Sequence, residues 1–466
     1  MRLTLLTGLL LSLLGSGFVG FIQQPPAAAK PNVIIVMADD LDSRQLSCYG
    51  GRNLRTTHID ALAAEGLKFN HIYASEAMCV PTRASLFTGL YPVRHGSFQN
   101  HKPVYNDLKS VGHYLADLGY RVGLTGKDHS TKPKTVFPFE IVSGFEPNCV
   151  AATDDYTLDG VKEYMTRDSK PYCLFVMSIN PHTPWTVGDT TEFDADKLVL
   201  PSYCVDTKLT RRQFVKYLAE VRRLDNQVGD ITRLLKETGQ DKNTIVIFLG
   251  EQGAQFPGAK WNLYDAGQKS SMLVRWPGTV KPRTQTDALV QYEDITPTLI
   301  DLAGGKPVAG LDGKSFLPVL RGQSQQARDF TYGIHNNIPE GNPYPIRSIR
   351  DTRYKLILNL TPDSEYYNRF MMNASAQRRD GNSVWFSWID RAESDPQAKR
   401  ITDRFVKRPA VEFYDTQTDP SEFRNLANDS TQQNRIRHYR QKLEAWMKQQ
   451  GDTGAALDIT YAKKPD

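Results

Sequence analysis

The sequence has few cysteines, no strong charge imbalance and, beyond its first 29 residues, no long hydrophobic run. Its 466 residues include five cysteines and carry a formal net charge of +5. The apolar runs after residue 29 are too short to cross a bilayer, and the chain contains no internal repeat or low-complexity tract. We therefore expect a soluble globular protein with no nucleic-acid partner. Its mild positive charge permits an acidic substrate without requiring one.

The first 29 residues have the composition of a secretory signal peptide. Arg2 provides a basic start, residues 3–14 are apolar, and residues 27–29 are three alanines that suit cleavage. Glycines interrupt the apolar stretch, which is short for a membrane span. An uncleaved membrane anchor is the alternative interpretation. We expect residues 1–29 to be removed, leaving a periplasmic or secreted protein that is not attached to the membrane.

The five cysteines leave the disulfide pattern open. In an exported protein, an odd number indicates one thiol with a separate task. If that thiol is Cys79, the other four allow up to two disulfides in three pairings. Cys173 lies in an apolar run and can equally be a small buried hydrophobe.

Four apolar, β-rich segments each end abruptly in polar residues. Nearly continuous apolar runs are typical of strands buried on both faces, as in parallel sheets. The segments are 33–38, 121–126, 172–179 and 244–250. Helical patterns lie between them, at 57–65, 108–118 and 211–238. This alternation predicts an α/β sandwich with a large, mostly parallel central sheet.

The polar residues after these segments are candidate site residues. They are Asp39 and Asp40, Lys127 and His129, His182, and Glu251 and Gln252. Ligands of open α/β sheets bind at the carboxyl ends of the strands, so these side chains should meet there. Taken singly, each could be a solvated turn residue. Together they predict a charged site that contains a metal ion.

The pattern changes after about residue 325. We expect residues 30–325 to form a catalytic domain and residues 326–466 a smaller α+β domain with an antiparallel sheet. The C-terminal part contains a hairpin pattern at 348–360, a short strand at 411–414 and a charged helix at 431–449. The segment 361–409 has no regular pattern, and it could form loops over a substrate cleft.

Cys79 lies where a helix is expected to begin. Pro81 suits a first helical turn, and residues 82–87 can continue the helix. The free N–H groups and positive end of a helix stabilise an anion at that position. A thiolate nucleophile is one interpretation, and it would need a neighbouring base.

The stretch CVPTRASLFTG resembles the sulfatase signature, in which C-x-P-x-R is read by an enzyme that oxidises the cysteine to formylglycine. Four further segments resemble the family in the same order: PNVIIVMADD, GKDH, NPHTP and EFYDTQTDPSEFRNLAND. The stretches GKDHSTKPKTVFPFE, FPGAKWNLYDAG and YPIRSIRDTRYKLILNL look nearest to the heparan N-sulfatase branch. The resemblance implies an alkaline-phosphatase-like fold. It also implies a partner enzyme for maturation, either formylglycine-generating or anaerobic sulfatase-maturating.

The resemblance also implies a role for each site residue. Residue 79, as 3-oxoalanine, would attack sulfur through a gem-diol oxygen, and one divalent cation, usually Ca²⁺, would polarise the sulfate. The implied metal ligands are Asp39, Asp40, modified Cys79, Glu251 and Gln252. Arg83 and Lys127 would hold the formylglycine and sulfate oxygens. His182 and Lys260 would face the leaving group, and His129 would take a proton from the second hydroxyl.

One pair departs from the family pattern. Sulfatases usually have Asp followed by His or Asn after the last of these strands, whereas this chain has Glu251 and Gln252. Both side chains are longer by one methylene, yet they keep a carboxylate and an amide oxygen. We therefore expect a working metal site with the usual charge.

Substrate contacts are predicted from loops that could approach the pocket. The candidates are Gln99, Asn100, His101, His335 and Arg347. A sulfated carbohydrate is the expected substrate, and the bond cut could be an O-sulfate or an N-sulfate. One alternative is a phosphoester or phosphonate hydrolase of the same superfamily. Another is a non-catalytic homologue that binds sulfated glycan, against which the intact C-x-P-x-R motif argues.

Overall fold

The computed structural model describes residues 30–153, 155–368 and 383–462, except for the side chains of residues 461 and 462. The predicted signal peptide therefore lies outside the described residues. The strands are β1 Asn32–Met37, β2 Leu67–Tyr73, β3 Arg121–Gly126, β4 Glu140–Ile141, β5 Tyr172–Met177, β6 Thr244–Leu249, β7 Met272–Arg275, β8 Thr284–Gln291, β9 Thr331–His335, β10 Ile346–Arg350, β11 Tyr354–Asn359 and β12 Val411–Asp415.

The α-helices pack around these strands. They are α1 Thr57–Ala64, α2 Cys79–Thr88, α3 Pro92–His95, α4 Val111–Asp117, α5 Asp159–Thr166, α6 Lys208–Glu237, α7 Asp265–Gln268, α8 Ile295–Leu302, α9 Leu317–Leu320, α10 Val384–Ala392, α11 Pro396–Val406, α12 Gln433–Gln450 and α13 Ala455–Ala462. None of the described helices is long and apolar enough to span a membrane.

The larger sheet has eight strands in the order β4-β3-β5-β1-β6-β7-β2-β8. Only β7 runs antiparallel to its neighbours. Alternate residues of β1 enter two different cores, with Ile34 on one face of the sheet and Ile35 on the other. Helices α1, α5 and α6 contribute to the first core, and α2, α4 and α8 contribute to the second. This is the predicted sandwich of helices on both faces of a mostly parallel sheet.

The second sheet is antiparallel, with strand order β12-β11-β10-β9. One face packs against α12, where Leu443 and Trp446 join a third apolar cluster. The hairpin predicted at 348–360 is confirmed as β10 and β11, and the predicted C-terminal helix as α12. The domain boundary at 325/326 stays a prediction.

Two parts of the secondary structure differ from the sequence-based expectation. Residues 361–409 were predicted to be irregular, but they contain α10 and α11; residues 369–382 of that segment lie outside the described residues. The strands β2, β7 and β8 carry apolar runs of at most three residues and have no counterpart among the predicted strands. They hold their places through pairing with distant strands, which local composition does not reveal.

Helix α10 stabilises the fold by packing on α6. Trp388 is fully buried, and its indole N–H donates to Thr210 Oγ1 at 2.8 Å. We expect Trp388→Ala to lower the free energy of unfolding by about 3–5 kcal/mol, because it leaves a large cavity. Urea denaturation measures the loss. The matched control is Gln397→Ala on the exposed face of α11, for which a change above about 0.5 kcal/mol is not expected. An equal effect of both variants would contradict this packing role.

Candidate active site

Four adjacent parallel strands bring the predicted site residues to one edge of the sheet. Strands β3, β5, β1 and β6 are neighbours in that order. Lys127 directly follows β3, and Asp39 lies two residues after β1. Glu251 lies two residues after β6, and His182 follows β5 in a short loop. The clustering expected from the carboxyl ends of parallel strands is therefore present.

The backbone at these strand ends is unusual. Asp40 and Glu251 have φ values of 62° and 66°, a left-handed conformation that is costly for residues other than glycine. Such strain persists where the surrounding structure fixes it and is often found at functional sites. Gly126 has a φ of 85°, and a Cβ there would lie 2.2 Å from the carbonyl oxygen of Met177. Only glycine therefore fits before Lys127.

Cys79 is the first residue of α2, a helix in which every residue is buried. Its Sγ lies 3.1 Å from Nζ of Lys260, and the side chain is 3% exposed. Burial raises the pKa of the Cys79 thiol, although Lys127 and Lys260 oppose this effect. The thiol is therefore protonated at neutral pH and lacks the low pKa of an activated cysteine nucleophile.

Three fully buried ion pairs surround this position. Arg83 Nε donates to Glu251 Oε1 at 2.6 Å, and Lys127 Nζ donates to Asp39 Oδ2 at 2.5 Å. Lys260 Nζ donates to Asp40 Oδ2 at 2.7 Å. Burial opposes the ionisation of Lys260, but Asp40, Cys79 and Asp39 together outweigh it and raise the pKa of the ammonium group. The site thus holds three carboxyl groups and three basic side chains out of contact with solvent.

The carboxylates also form a set of donor atoms for a cation. Asp39, Asp40, Cys79 and Glu251 each present a donor atom, and these four atoms lie within 4.8 Å of one another. Asp39 Oδ1 is buried and accepts no hydrogen bond from the described residues. A hard divalent cation prefers such oxygen ligands.

Gln252 lies in the same cluster, but its amide nitrogen faces the carboxylates. Nε2 donates to Asp40 Oδ1 at 2.6 Å and to Glu251 Oε2 at 2.9 Å. The predicted role needs the amide oxygen on this side, so the amide must turn by 180° when a cation binds. Burial raises the pKa of Glu251 to about 8. A cation would reverse this shift by favouring the carboxylate.

Two predicted histidines flank the site, and both are partly exposed. Burial lowers the pKa of His129 to about 3, helped by Lys127. Burial also lowers the pKa of His182, against the effect of Asp39 and Asp40. His182 Nδ1 lies 2.5 Å from the carbonyl oxygen of Thr183, so this nitrogen carries the hydrogen and donates it. Its Nε2 lies 3.6 Å from Asp40 Oδ2. Both rings are therefore neutral near pH 7.

The loop that carries Lys260 is held by the C-terminal part of the chain. A Cβ at Gly258 would lie 2.0 Å from the ring of Phe405 in α11, so the loop needs glycine there. The Tyr366 hydroxyl donates to the carbonyl oxygen of Trp261 at 2.5 Å. Residues predicted to be irregular thus help to place the Lys260 ammonium beside Cys79.

Helix α6 positions the loop that carries His182, through residues that the sequence did not single out. Glu220 Oε2 accepts from Asn180 Nδ2 at 2.6 Å, and Gln227 Nε2 donates to Asn180 Oδ1 at 2.8 Å. Both side chains are buried on the apolar face of α6. A polar residue within the apolar stripe of a helix was the signal that could have identified them.

Three of the five candidate substrate contacts, His101, His335 and Arg347, occupy different environments. His101 lies beside His129, with ring centroids 4.9 Å apart. His335 and Arg347 lie on strands β9 and β10, and not in loops as expected. Arg347 is fully buried and donates to Asp452 and Asp458, so its guanidinium already has partners. Neither ring nitrogen of buried His335 has a hydrogen-bond partner among the described residues. Their roles toward a substrate stay predictions.

Comparison with known proteins identifies the family. A sequence model of the sulfatase family matches residues 31–305, which is more than half of the chain. The chain belongs to the sulfatase family. A second model, for the C-terminal region of N-sulphoglucosamine sulphohydrolase, matches residues 256–377. The predicted family and its nearest branch are both confirmed.

Relatives of this sulfatase span most of its length. An ulvan-active sulfatase from Formosa agariphila is 31% identical over 437 residues, covering 91% of this chain and 81% of the relative. The N-sulphoglucosamine sulphohydrolase of Homo sapiens is 26% identical over 476 residues, covering 90% of each chain. A solved structure in complex with its substrate D-glucosamine-2-N,6-O-disulfate superposes with a TM-score of 0.69 at 20% identity, covering 91% of this chain and 99% of the other. The predicted alkaline-phosphatase-like fold and the class of sulfuric ester hydrolase are confirmed.

Proposed function

We propose that this sulfatase releases sulfate from a sulfated carbohydrate, using formylglycine formed from Cys79 and one Ca²⁺ ion, after export to the periplasm or the medium. The position of Cys79 carries the proposal. Its Sγ is buried beside Lys260, next to the three carboxylates, and its pKa is raised rather than lowered. An unmodified thiolate nucleophile fits this environment poorly. Relatives named for ulvan and for N-sulphoglucosamine support a carbohydrate substrate.

The residues present fit a calcium ion. Asp39, Asp40 and Glu251 provide carboxylate oxygens, and Gln252 provides an amide oxygen after rotation. Asp39 Oδ1 accepts no hydrogen bond from the described part of the chain, so binding a cation breaks none there. When bound, the cation would polarise the sulfate, and formylglycine would supply the hydroxyl that attacks sulfur.

The remaining residues act on the substrate and its protons. Arg83 and Lys127 are buried cations beside residue 79, where they attract the sulfate oxygens and fix their orientation. Lys260 stays protonated and can donate a hydrogen bond to the leaving oxygen or nitrogen. His182 Nε2 and Lys260 Nζ both lie near Oδ2 of Asp40. An anionic sulfate bound beside them would favour the protonated form of His182. His129 is neutral and can accept a proton.

The proposal is tested with matured protein and added Ca²⁺ on a panel of sulfated sugars, with release of free sulfate as the readout. The panel contains N-sulfated and 6-O-sulfated glucosamine, sulfated galactose and sulfated fucose. A phosphonate monoester is added, and its hydrolysis is followed by release of its alcohol. The mass of the peptide that contains residue 79 confirms maturation before the assay.

Each outcome of the panel has a different meaning. Sulfate release from one sugar fixes the bond that is cut and supports the proposal. Faster hydrolysis of the phosphonate would instead support the alternative hydrolase. If the matured protein binds sulfated polysaccharide but cleaves no member of the panel or polymer, the proposal is wrong and the non-catalytic alternative stands.

The leaving-group role of His182 predicts a substrate-dependent defect. We expect His182→Gln to lower turnover of a carbohydrate sulfate by about 10²–10⁴-fold, because a sugar alkoxide needs a proton as it departs. Turnover of 4-nitrophenyl sulfate should fall far less, since nitrophenolate leaves without a proton. The control is His58→Gln, which changes an exposed histidine on α1. Equal losses on both substrates would place His182 outside the leaving-group step.

A further inference from the structure

One thiol at the active site has no part in the proposed mechanism. Cys149 lies in the loop between β4 and α5, and it is 7% exposed. Its Sγ is 3.9 Å from Nδ1 of His129. All five cysteines are free, so no disulfide occupies this thiol.

Cys149 completes a cluster of three different metal-ligating groups. Its Sγ, a ring nitrogen of His182 and a carboxylate oxygen of Asp39 all lie within 4.8 Å of one another. Each group has a lone pair available. Nδ1 of His182 donates to Thr183, which leaves Nε2 free to bind a metal. Lys127 Nζ donates a hydrogen bond to Oδ2 of Asp39. The other carboxylate oxygen of Asp39, Oδ1, is buried and accepts no hydrogen bond from the described residues.

We propose that Cys149, His182 and Asp39 bind a thiophilic divalent cation such as Zn²⁺, and that this cation inhibits the enzyme. A mixed set of thiolate, imidazole and carboxylate ligands is typical of zinc sites. The calcium set differs, because its ligands are mainly oxygens, which favour a hard cation. The thiol proton passes to the buffer when the metal binds.

Inhibition follows from the residues that the two sites share. Asp39 belongs to both ligand sets, and a cation on Nε2 of His182 prevents this ring from acting on the leaving group. The inhibitory part of the inference rests on the proposed function, whereas the binding part does not.

Binding is tested with Co²⁺, whose bond to a thiolate gives a charge-transfer absorption in the near ultraviolet. Titrations use the Cys79→Ala protein without added Ca²⁺, so that Cys149 is the thiol at the site and Asp39 is available to bind Co²⁺. We expect the thiolate band in Cys79→Ala and its loss in Cys79→Ala/Cys149→Ser. A Cys79→Ala/Cys48→Ser control should keep the band. A band that persists without Cys149, or never forms, overturns the inference.

Inhibition is tested by titrating the matured enzyme with Zn²⁺ in the presence of Ca²⁺. We expect Cys149→Ser to raise the half-inhibitory Zn²⁺ concentration by at least about tenfold, as the loss of a metal contact does elsewhere. An unchanged concentration would show that Zn²⁺ acts by displacing Ca²⁺, which overturns the inhibitory role of Cys149. If the matured protein releases no sulfate, the proposed function fails, while the Co²⁺ spectra still decide the metal site.

Discussion

Cys79→Ala is expected to lower sulfate release by at least about 10⁴-fold, the scale seen when a catalytic nucleophile is removed. Alanine cannot be converted to formylglycine, so the variant has no hydroxyl at residue 79 to attack sulfur. The fold should be retained, because the side chain is small and its described polar contacts are to Lys260 and Gln252. Turnover is measured on the sugar that the wild-type protein cleaves, and the thermal midpoint reports folding.

The matched control for this prediction is Cys48→Ala. Cys48 is a partly buried thiol on the short 3₁₀ helix before α1, and it lies outside the active site. Its loss should leave turnover within a few-fold of the wild-type value. If Cys79→Ala is folded and still turns over substrate at a comparable rate, the nucleophile is another group and the formylglycine mechanism is wrong.

Arg83→Gln is expected to cost about 3 kcal/mol of folding free energy and to abolish activity. It removes one partner of a fully buried ion pair and leaves Glu251 without its cation. Burial raises the pKa of Glu251 and Arg83 opposes this effect, so without Arg83 the pKa would rise further and this carboxyl would take up a proton rather than stay charged. Urea denaturation in EDTA measures the loss without a contribution from bound metal.

The double variant Arg83→Gln/Glu251→Gln separates stability from function. It removes both charges, so we expect much of the lost stability to return while activity stays absent. Arg353→Gln is the control, because it breaks a partly exposed pair with Asp415 and should cost less than about 1 kcal/mol. If the double variant is as unstable as the sum of the single variants, the Arg83–Glu251 contact is not the source of the effect.

The sequence could predict the main strands because each is a continuous apolar run that stops at a polar residue. Strands β1, β3, β5 and β6 begin and end within two residues of the predicted segments. Helix α6 was predictable for a similar reason, since its apolar residues from Phe214 to Leu235 recur every three or four positions. In contrast, α10 is only nine residues long and follows a stretch outside the described residues, and α11 carries charged residues around a short apolar stripe.

The arrangement of the candidate site depended on contacts that no local pattern contains. Glu251 follows Arg83 by 168 residues, and their 2.6 Å contact forms only after α2 packs at the end of β6. The side on which the Gln252 nitrogen lies is likewise set by Asp40 and Glu251. Cys149 could only be counted among possible disulfide partners until the fold placed it near His182 and Asp39.

The sequence by itself determined the family, the order of the chemical groups and the strand ends that carry them. Those properties are encoded in short stretches, such as CVPTR, and in local apolar periodicity. Only the tertiary structure decided which charges pair, which side chains support the Lys260 and His182 loops, and which thiol joins the site. The physical reason is that burial raises the strength of electrostatic contacts between residues far apart in the chain, and only the packed chain specifies which residues are buried together.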